Sequence, residues 1–186
     1  MIKNIIAFSH QLLLESVQEG DIVIDATAGN GHDTLFLSQL VGENGSVLAF
    51  DIQAEAIAAV KLKVAEQQIR NTRIIHESHE HAVAYLNETE QIGGVIFNLG
   101  YLPGSDKSII THGESTIKAL TGMLQFLKKG GVIVLVVYHG HEGGVQEKDA
   151  ILNYASKLRQ QEFNVLQYGF INQRNTPPFI IAIEKK

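Results

Sequence analysis

Between Ile22 and Leu37 the chain reads IVIDATAGNGHDTLFL, and three kinds of residue in it could do chemistry together. Asp25 closes a short apolar run. Gly29 and Gly31 allow the backbone to approach a ligand closely. Asp33 precedes a helix-like apolar pattern at Leu35, Phe36 and Leu40, where an acid suits an N-cap or first turn. A dinucleotide fingerprint would place a third glycine where Thr34 stands, and would leave the helix start free for a pyrophosphate. Two carboxylates here would repel a pyrophosphate. S-adenosylmethionine (SAM) carries a sulfonium, an ammonium and one carboxylate but no phosphate, so acids beside backbone N–H groups suit it. The loop alone leaves three readings open: a SAM site, a nucleotide site, and a plain left-handed turn with Asp33 as a cap.

Other candidates lie further along. Asp51 ends an apolar run about 20 residues past Gly29, the separation at which an acid binds ribose hydroxyls; it could equally cap the next helix. Gln53 follows and can contact the adenine or ribose. The segment His76-Glu77-Ser78-His79-Glu80-His81 invites a metal reading, but it is not H-E-x-x-H. No metal site is expected there; a strand-end loop with Ser78 and His79 near an adenine fits better. In Asn98-Leu99-Gly100-Tyr101-Leu102-Pro103-Gly104 the side-chain carbonyl of Asn98 and the next backbone carbonyl form a pair of acceptors. Such a pair can hold an amine by its N–H bonds and leave its lone pair facing a methyl donor. Tyr101 could stack on a base or close the site. His139, in Tyr138-His139-Gly140-His141, can approach the same crevice as a proton acceptor, or be structural. Lys107 and Arg174 are available to a phosphate backbone, although solvated surface charge is the ordinary role of such residues.

These residues need elements to hold them. Ile5, Ile6 and Phe8 read as a short strand or arm before a helix over Ser9–Val17 capped by Ser9. Then strands and helices alternate. Strands are expected at Ile22–Ile24, Val47–Phe50, Arg73–Ile75, Gly94–Asn98 and Val132–Val137. Helices are expected at Asp33–Val41, Gln53–Gln67, Thr111–Leu127 and Glu147–Gln161. Phe163–Tyr168 and Phe179–Glu184 read as a closing antiparallel pair. Alternation of this kind predicts an α/β fold, a mostly parallel doubly wound sheet with helices on both faces. The closing pair makes it the SAM-methyltransferase variant of the Rossmann architecture, with strand order 3-2-1-4-5-7-6. Every candidate except the lysine and arginine then falls at or just past a strand's carboxyl end, where open α/β sheets bind ligands.

Composition sets limits. The 186 residues, 45% hydrophobic and 19% charged, suit one domain over 1–186 with a real core. No apolar run is long enough to span a membrane, and the first residues lack a signal-peptide pattern. The chain has no cysteine, which excludes disulfides and thiolate ligands and fits a cytoplasmic protein. A formal net charge of −5 gives no global basic footprint, so a polyanionic substrate would have to meet a local patch.

Three stretches, DATAGNGHDT, AFDIQ and FNLGYLPGSDK, together with ESHE and YHGHEGG, resemble a small bacterial methyltransferase family. That family, once labelled rRNA methylase, is now associated with N-methylation of 5-aminomethyl(-2-thio)uridine at the tRNA wobble position. The resemblance runs from FSHQLLLESV to NQRNTPPF. It implies SAM contacts at Gly29, Asn30, Asp33, Asp51, Gln53, Ser78 and His79, a homodimer, and a tRNA anticodon stem-loop as substrate. The N-L-G-Y turn at Asn98 is similar to the N-P-P-Y turn of amino-methyltransferases but lacks both prolines. Alternatives are a SAM-dependent enzyme acting on rRNA, a small-molecule amine or a protein, a non-catalytic SAM-fold RNA-binding module, and an NAD-dependent oxidoreductase.

Overall fold

The computed structural model describes residues 1–100 and 113–186. Tyr101 and Lys107 lie outside the described residues. The elements run α1 (Ile5–Ser16), β1 (Ile22–Asp25), α2 (His32–Val41), β2 (Ser46–Asp51), α3 (Ala54–Glu66), β3 (Thr72–His76), a 3-10 helix (His79–Tyr85), β4 (Ile92–Leu99), α4 (Gly113–Phe126), β5 (Leu127–Val137), α5 (Gly144–Ala155), β6 (Phe163–Tyr168) and β7 (Phe179–Lys185).

One seven-stranded sheet, ordered β3-β2-β1-β4-β5-β7-β6, joins them. Strands β1 to β5 are parallel neighbours, and β7 lies antiparallel between β5 and β6. This is the expected order. The central strands are continuous apolar runs because both faces of the sheet are covered. On one face Phe50, Phe97, Leu120, Met123 and Ile133 form the core; on the other Leu13, Val23, Leu37, Ile96 and Val134 do. Among the described residues no helix is long and apolar enough to cross a membrane.

The first helix departs from expectation. Ile5, Ile6 and Phe8 are helical rather than a strand or arm, and the cap is Asn4, whose side chain accepts the Ala7 N–H at 2.8 Å. Ile5, Ser9 and Leu13 form its buried face, so Ser9 is an interior residue with its hydroxyl on the Ile6 carbonyl. The β-branched pair Ile5-Ile6 suggested a strand, but burial at spacing four decides for helix. Strand β5 starts at Leu127 rather than Val132: Ile92 pairs with Leu127 and Gly94 with Val132, so Lys128–Gly131 bulge out of the ladder. Helix α5 starts at Gly144, where left-handed Gly143 (φ 79°) turns the chain into it, and ends at Ala155, so both ends come earlier than expected.

Candidate functional site

Strand β1 delivers Asp25 to the carboxyl edge of the sheet, and the chain then turns tightly into α2. The turn is tied to both neighbouring strands: Ala26 N–H donates to Ile96 O at 2.9 Å and Ala28 N–H to Phe50 O at 2.8 Å. Gly29 (φ 49°) and Gly31 (φ 81°) are left-handed, a conformation that favours glycine. Gly31 also has little room, because a Cβ there would lie 3.3 Å from the Val60 side chain.

Three carboxylates surround this turn, each held differently. Asp25 is completely buried and accepts the Thr34 hydroxyl at 2.6 Å and the Thr27 N–H at 3.3 Å. Burial above all, then the nearby Asp33 charge and to a lesser extent Asp51, pushes its pKa up to about 7 against the pull of these two hydrogen bonds. A side chain without accessible surface braces the loop rather than touching a ligand. The hydroxyl at the missing third-glycine position is that brace.

Asp51, at the end of β2, accepts the Gly29 N–H on Oδ2 and the Gln53 N–H on Oδ1, both at 2.9 Å. Each oxygen keeps a second lone pair for an outside donor. Asp33 bridges two elements. Its Oδ2 accepts the Asn98 side-chain N–H at 2.6 Å, and its Oδ1 meets His10 Nε2 at the same distance. The Asn98 backbone N–H donates to Thr27 Oγ1 at 2.7 Å. A carboxylate only accepts, so the Asn98 amide nitrogen faces Asp33 and the carbonyl points the other way.

His79 opens the 3-10 helix and is buried. Its Nδ1 meets the Ala26 carbonyl at 3.0 Å, and the ring lies edge-on to Phe97. Burial lowers its pKa, so the ring is neutral: Nδ1–H donates to Ala26, and Nε2 holds a lone pair. That Nε2 is buried and has no partner among the described residues, so it suits an N–H donor from a ligand. Ser78 caps the 3-10 helix through the Glu80 N–H at 3.4 Å.

Strand β5 ends beside Asn98, where Tyr138 N–H donates to Leu99 O at 3.0 Å. The second acceptor expected after Asn98 thus already takes one N–H and keeps a single lone pair, so the Asn98 carbonyl is the group better suited to a substrate. His139 turns toward the next strand: Nε2 faces the Pro177 carbonyl at 3.2 Å, so Nε2 carries the hydrogen and Nδ1 the lone pair. The segment preceding β7 rests against the same turn, with Thr176 in close contact with Gly140. Arg174 is exposed on it, and Asn175 and Thr176 are left-handed (φ 65° and 50°).

The structure thus gathers Asp25, Gly29, Gly31, Asp33, Asp51, Gln53 and Asn98 around one turn. It sets Asn30, exposed, on that turn. His79 joins it through Ala26, while His139 and Arg174 lie further along the sheet edge. The sequence reading missed His10, Thr27, Thr34 and Tyr138. Thr34 had a signal in its place at the third-glycine position, and Tyr138 had one as an aromatic at a strand end. His10 had none, because its partner is 23 residues away and only packing brings the two together.

Residues 47–184 match a family model described as "Putative rRNA methylase". The chain is 34% identical to a chloroplastic tRNA (mnm5s2U34)-methyltransferase of Arabidopsis thaliana, over 96% of this chain and 68% of that protein. It superimposes with a TM-score of 0.96 on a "putative rRNA-methylase" from Clostridium thermocellum, 42% identical, over the whole of both chains. A "putative methyltransferase" from Streptococcus mutans, solved in complex with SAH, gives a TM-score of 0.91 at 41% identity, again over both whole chains.

Proposed function

We propose a substrate from one premise: this chain belongs to the "Putative rRNA methylase" family and is a SAM-dependent methyltransferase. The substrate is the aminomethyl nitrogen of 5-aminomethyl(-2-thio)uridine at the wobble position of tRNA. The similar Arabidopsis protein, described as a tRNA (mnm5s2U34)-methyltransferase, supports this choice over rRNA, a small-molecule amine or a protein. The observation that carries it is the fixed Asn98 amide, whose nitrogen is committed to Asp33 and whose carbonyl is left for a substrate N–H.

The residues present fit SAM. Asp33 and Asp51, whose charges add to burial in raising the Asp25 pKa, create a field that favours a sulfonium and an ammonium and disfavours a diphosphate. In this reading Asp51 receives the ribose hydroxyls, the buried Nε2 of His79 receives the adenine amino group, and Gly29, Asn30 and Gly31 line the cofactor with Gln53 and Ser78. Asp25 acts through the loop it braces. Bound SAM supplies an activated methyl group on sulfur.

Everything else falls to the protein and is largely positioning. An alkylamine has a pKa of roughly 10 and arrives protonated. Desolvation at the half-buried Asn98 weakens its hold on that proton. His139 Nδ1 is the acceptor we assign, and Tyr101 the residue that stacks on or encloses the base. Asn98 then holds a remaining N–H so that the lone pair faces the methyl group. Lys107 and Arg174 meet the anticodon stem-loop backbone. The enzyme acts as a homodimer. The edge strand β6 supports this, since Val165 and Leu166, on its opposite faces, are 42% and 43% exposed.

Hydrolysed tRNA from cells with and without the gene tests the reading. Loss of the gene should leave unmethylated aminomethyl nucleoside in place of the methylated one. Unchanged tRNA nucleosides would overturn it.

A further inference from the structure

Asp33 is gripped from two sides, and only one of them is at the strand edge. The other is His10, on a helix that lies across β4 and β5. Leu13 of α1 and Val17, which follows the helix, are buried against the sheet, and Gly94 permits the approach, since a Cβ there would lie 2.5 Å from Val17 and 3.0 Å from Leu13. The helix is anchored at its start by the Asn4 cap and by the Tyr168 hydroxyl, which donates to the Lys3 carbonyl at 2.6 Å. His10 stands one turn before Leu13. Its ring stacks flat on Phe36, with centroids 4.0 Å apart and planes 4° from parallel. In that orientation Nε2 meets Asp33 Oδ1 at 2.6 Å, while Asp33 Oδ2 accepts the Asn98 amide at 2.6 Å. The carboxylate can only accept, so Nε2 carries a hydrogen whether the ring is charged or neutral.

We propose that His10 is a positioning residue for methyl transfer: by fixing both the place and the rotation of the Asp33 carboxylate, it fixes the Asn98 amide with its carbonyl toward the substrate nitrogen. The inference rests on the reading of Asn98 given above. Without His10 the carboxylate is held on one side only and can rotate. The Asn98 amide then loses the acceptor that distinguishes its two ends, and a turn about its last bond offers N–H to an amine that needs an acceptor. An amine approached by N–H donates its lone pair to the amide, and that lone pair is the one required for the methyl group.

Two substitutions separate the hydrogen bond from the ring. His10→Gln keeps an N–H donor near the Nε2 position and discards the stack on Phe36. His10→Phe keeps the stack and discards the donor. Each is assayed as the full chain with SAM and tRNA from cells lacking the gene. For His10→Phe, kcat should fall at least about tenfold while the KM for SAM stays within about twofold. His10→Gln should stay within about threefold of the wild-type kcat. In an Asn98→Ala background His10→Phe should cost nothing further, because the two residues act as one unit. A second measurement needs no substrate. The side-chain amide resonances of Asn98, assigned by their loss in Asn98→Ala, should move in His10→Phe and stay in His10→Gln. The proposal is overturned if His10→Phe keeps wild-type kcat, if Gln falls as far as Phe, if the losses multiply in the Asn98→Ala background, or if the Asn98 amide is indifferent to His10→Phe. A wild-type protein that leaves tRNA unmethylated contradicts the substrate reading instead, and the amide resonances still decide whether His10 sets Asn98.

Discussion

Asn98 and Asp51 end two strands of the same sheet edge but are held for different tasks. Asn98 has its amide nitrogen tied down and its carbonyl left for a substrate, whereas Asp51 uses both oxygens on backbone N–H groups and offers its remaining lone pairs. Their alanine variants should therefore fail differently. Asn98→Ala should lower turnover about a hundredfold while SAM affinity changes little. Asp51→Ala should weaken SAM binding by about 1–3 kcal/mol. Calorimetric titration with SAM beside single-turnover methylation distinguishes the two, and equal losses in both measurements would remove the division of labour. Asp25 adds a pH dependence of definite sign. Its pKa rises from 3.8 in the free residue to about 7 in the fold, so between those values the native state keeps a proton that the unfolded chain has lost. Stability contributed by this group is thus greatest in acid and declines as pH rises toward 7. Asp25→Asn lacks that titration, and its melting temperature should gain on the wild type from about pH 4 to about pH 7. The difference between a pKa of 3.8 and one of about 7 corresponds to about 4 kcal/mol, an upper bound on that gain. A constant offset between the two melting curves would contradict the assignment.

At the scale of elements, the site depends on how closely α1 approaches the sheet. Gly94 sets that distance, and Gly94→Ala would drive a methyl group into Val17 and Leu13. It should cost about 1–3 kcal/mol of stability by overpacking and lower turnover by carrying His10 away from Asp33. Thermal unfolding and kcat check the two effects; a stable variant with full turnover would show that the helix position is unimportant. The same helix shows what the sequence could and could not reveal. The turn from Asp25 to Asp33, the acid at Asp51 and the amide at Asn98 were legible because each depends on neighbours in the chain: strand end, glycine, helix start. The boundaries of α1 were not, because its start is fixed by the Asn4 cap and by burial of Ile5 in the core rather than by its β-branched residues. The link from His10 to Asn98 was invisible for a stronger reason. It joins α1, α2 and β4 through a single carboxylate, and no local pattern reports a contact made by packing.

For the whole molecule the open physical question is how a chain of net charge −5 meets an anionic substrate. In the proposed reading local cations do so, and Arg174 stands exposed on the segment leading into β7. If Arg174 meets one phosphate, Arg174→Ala should weaken tRNA binding and reduce the steepness of its salt dependence by about 0.7–0.9 in a double-logarithmic plot. An unchanged slope would place the phosphate contacts elsewhere. The order of the parallel sheet with its antiparallel close was legible, since strands and helices largely alternate and the last two apolar runs have no helix between them.

The account turns on methyl transfer to one nitrogen. The direct measurement is to incubate the purified protein with methyl-labelled SAM and tRNA from cells lacking the gene, then hydrolyse the tRNA and separate its nucleosides. The label should be found in the methylaminomethyl form of the wobble uridine with the wild-type protein, and be nearly absent with Asn98→Ala. Label in a different nucleoside, or none from a protein that binds SAM, would contradict it.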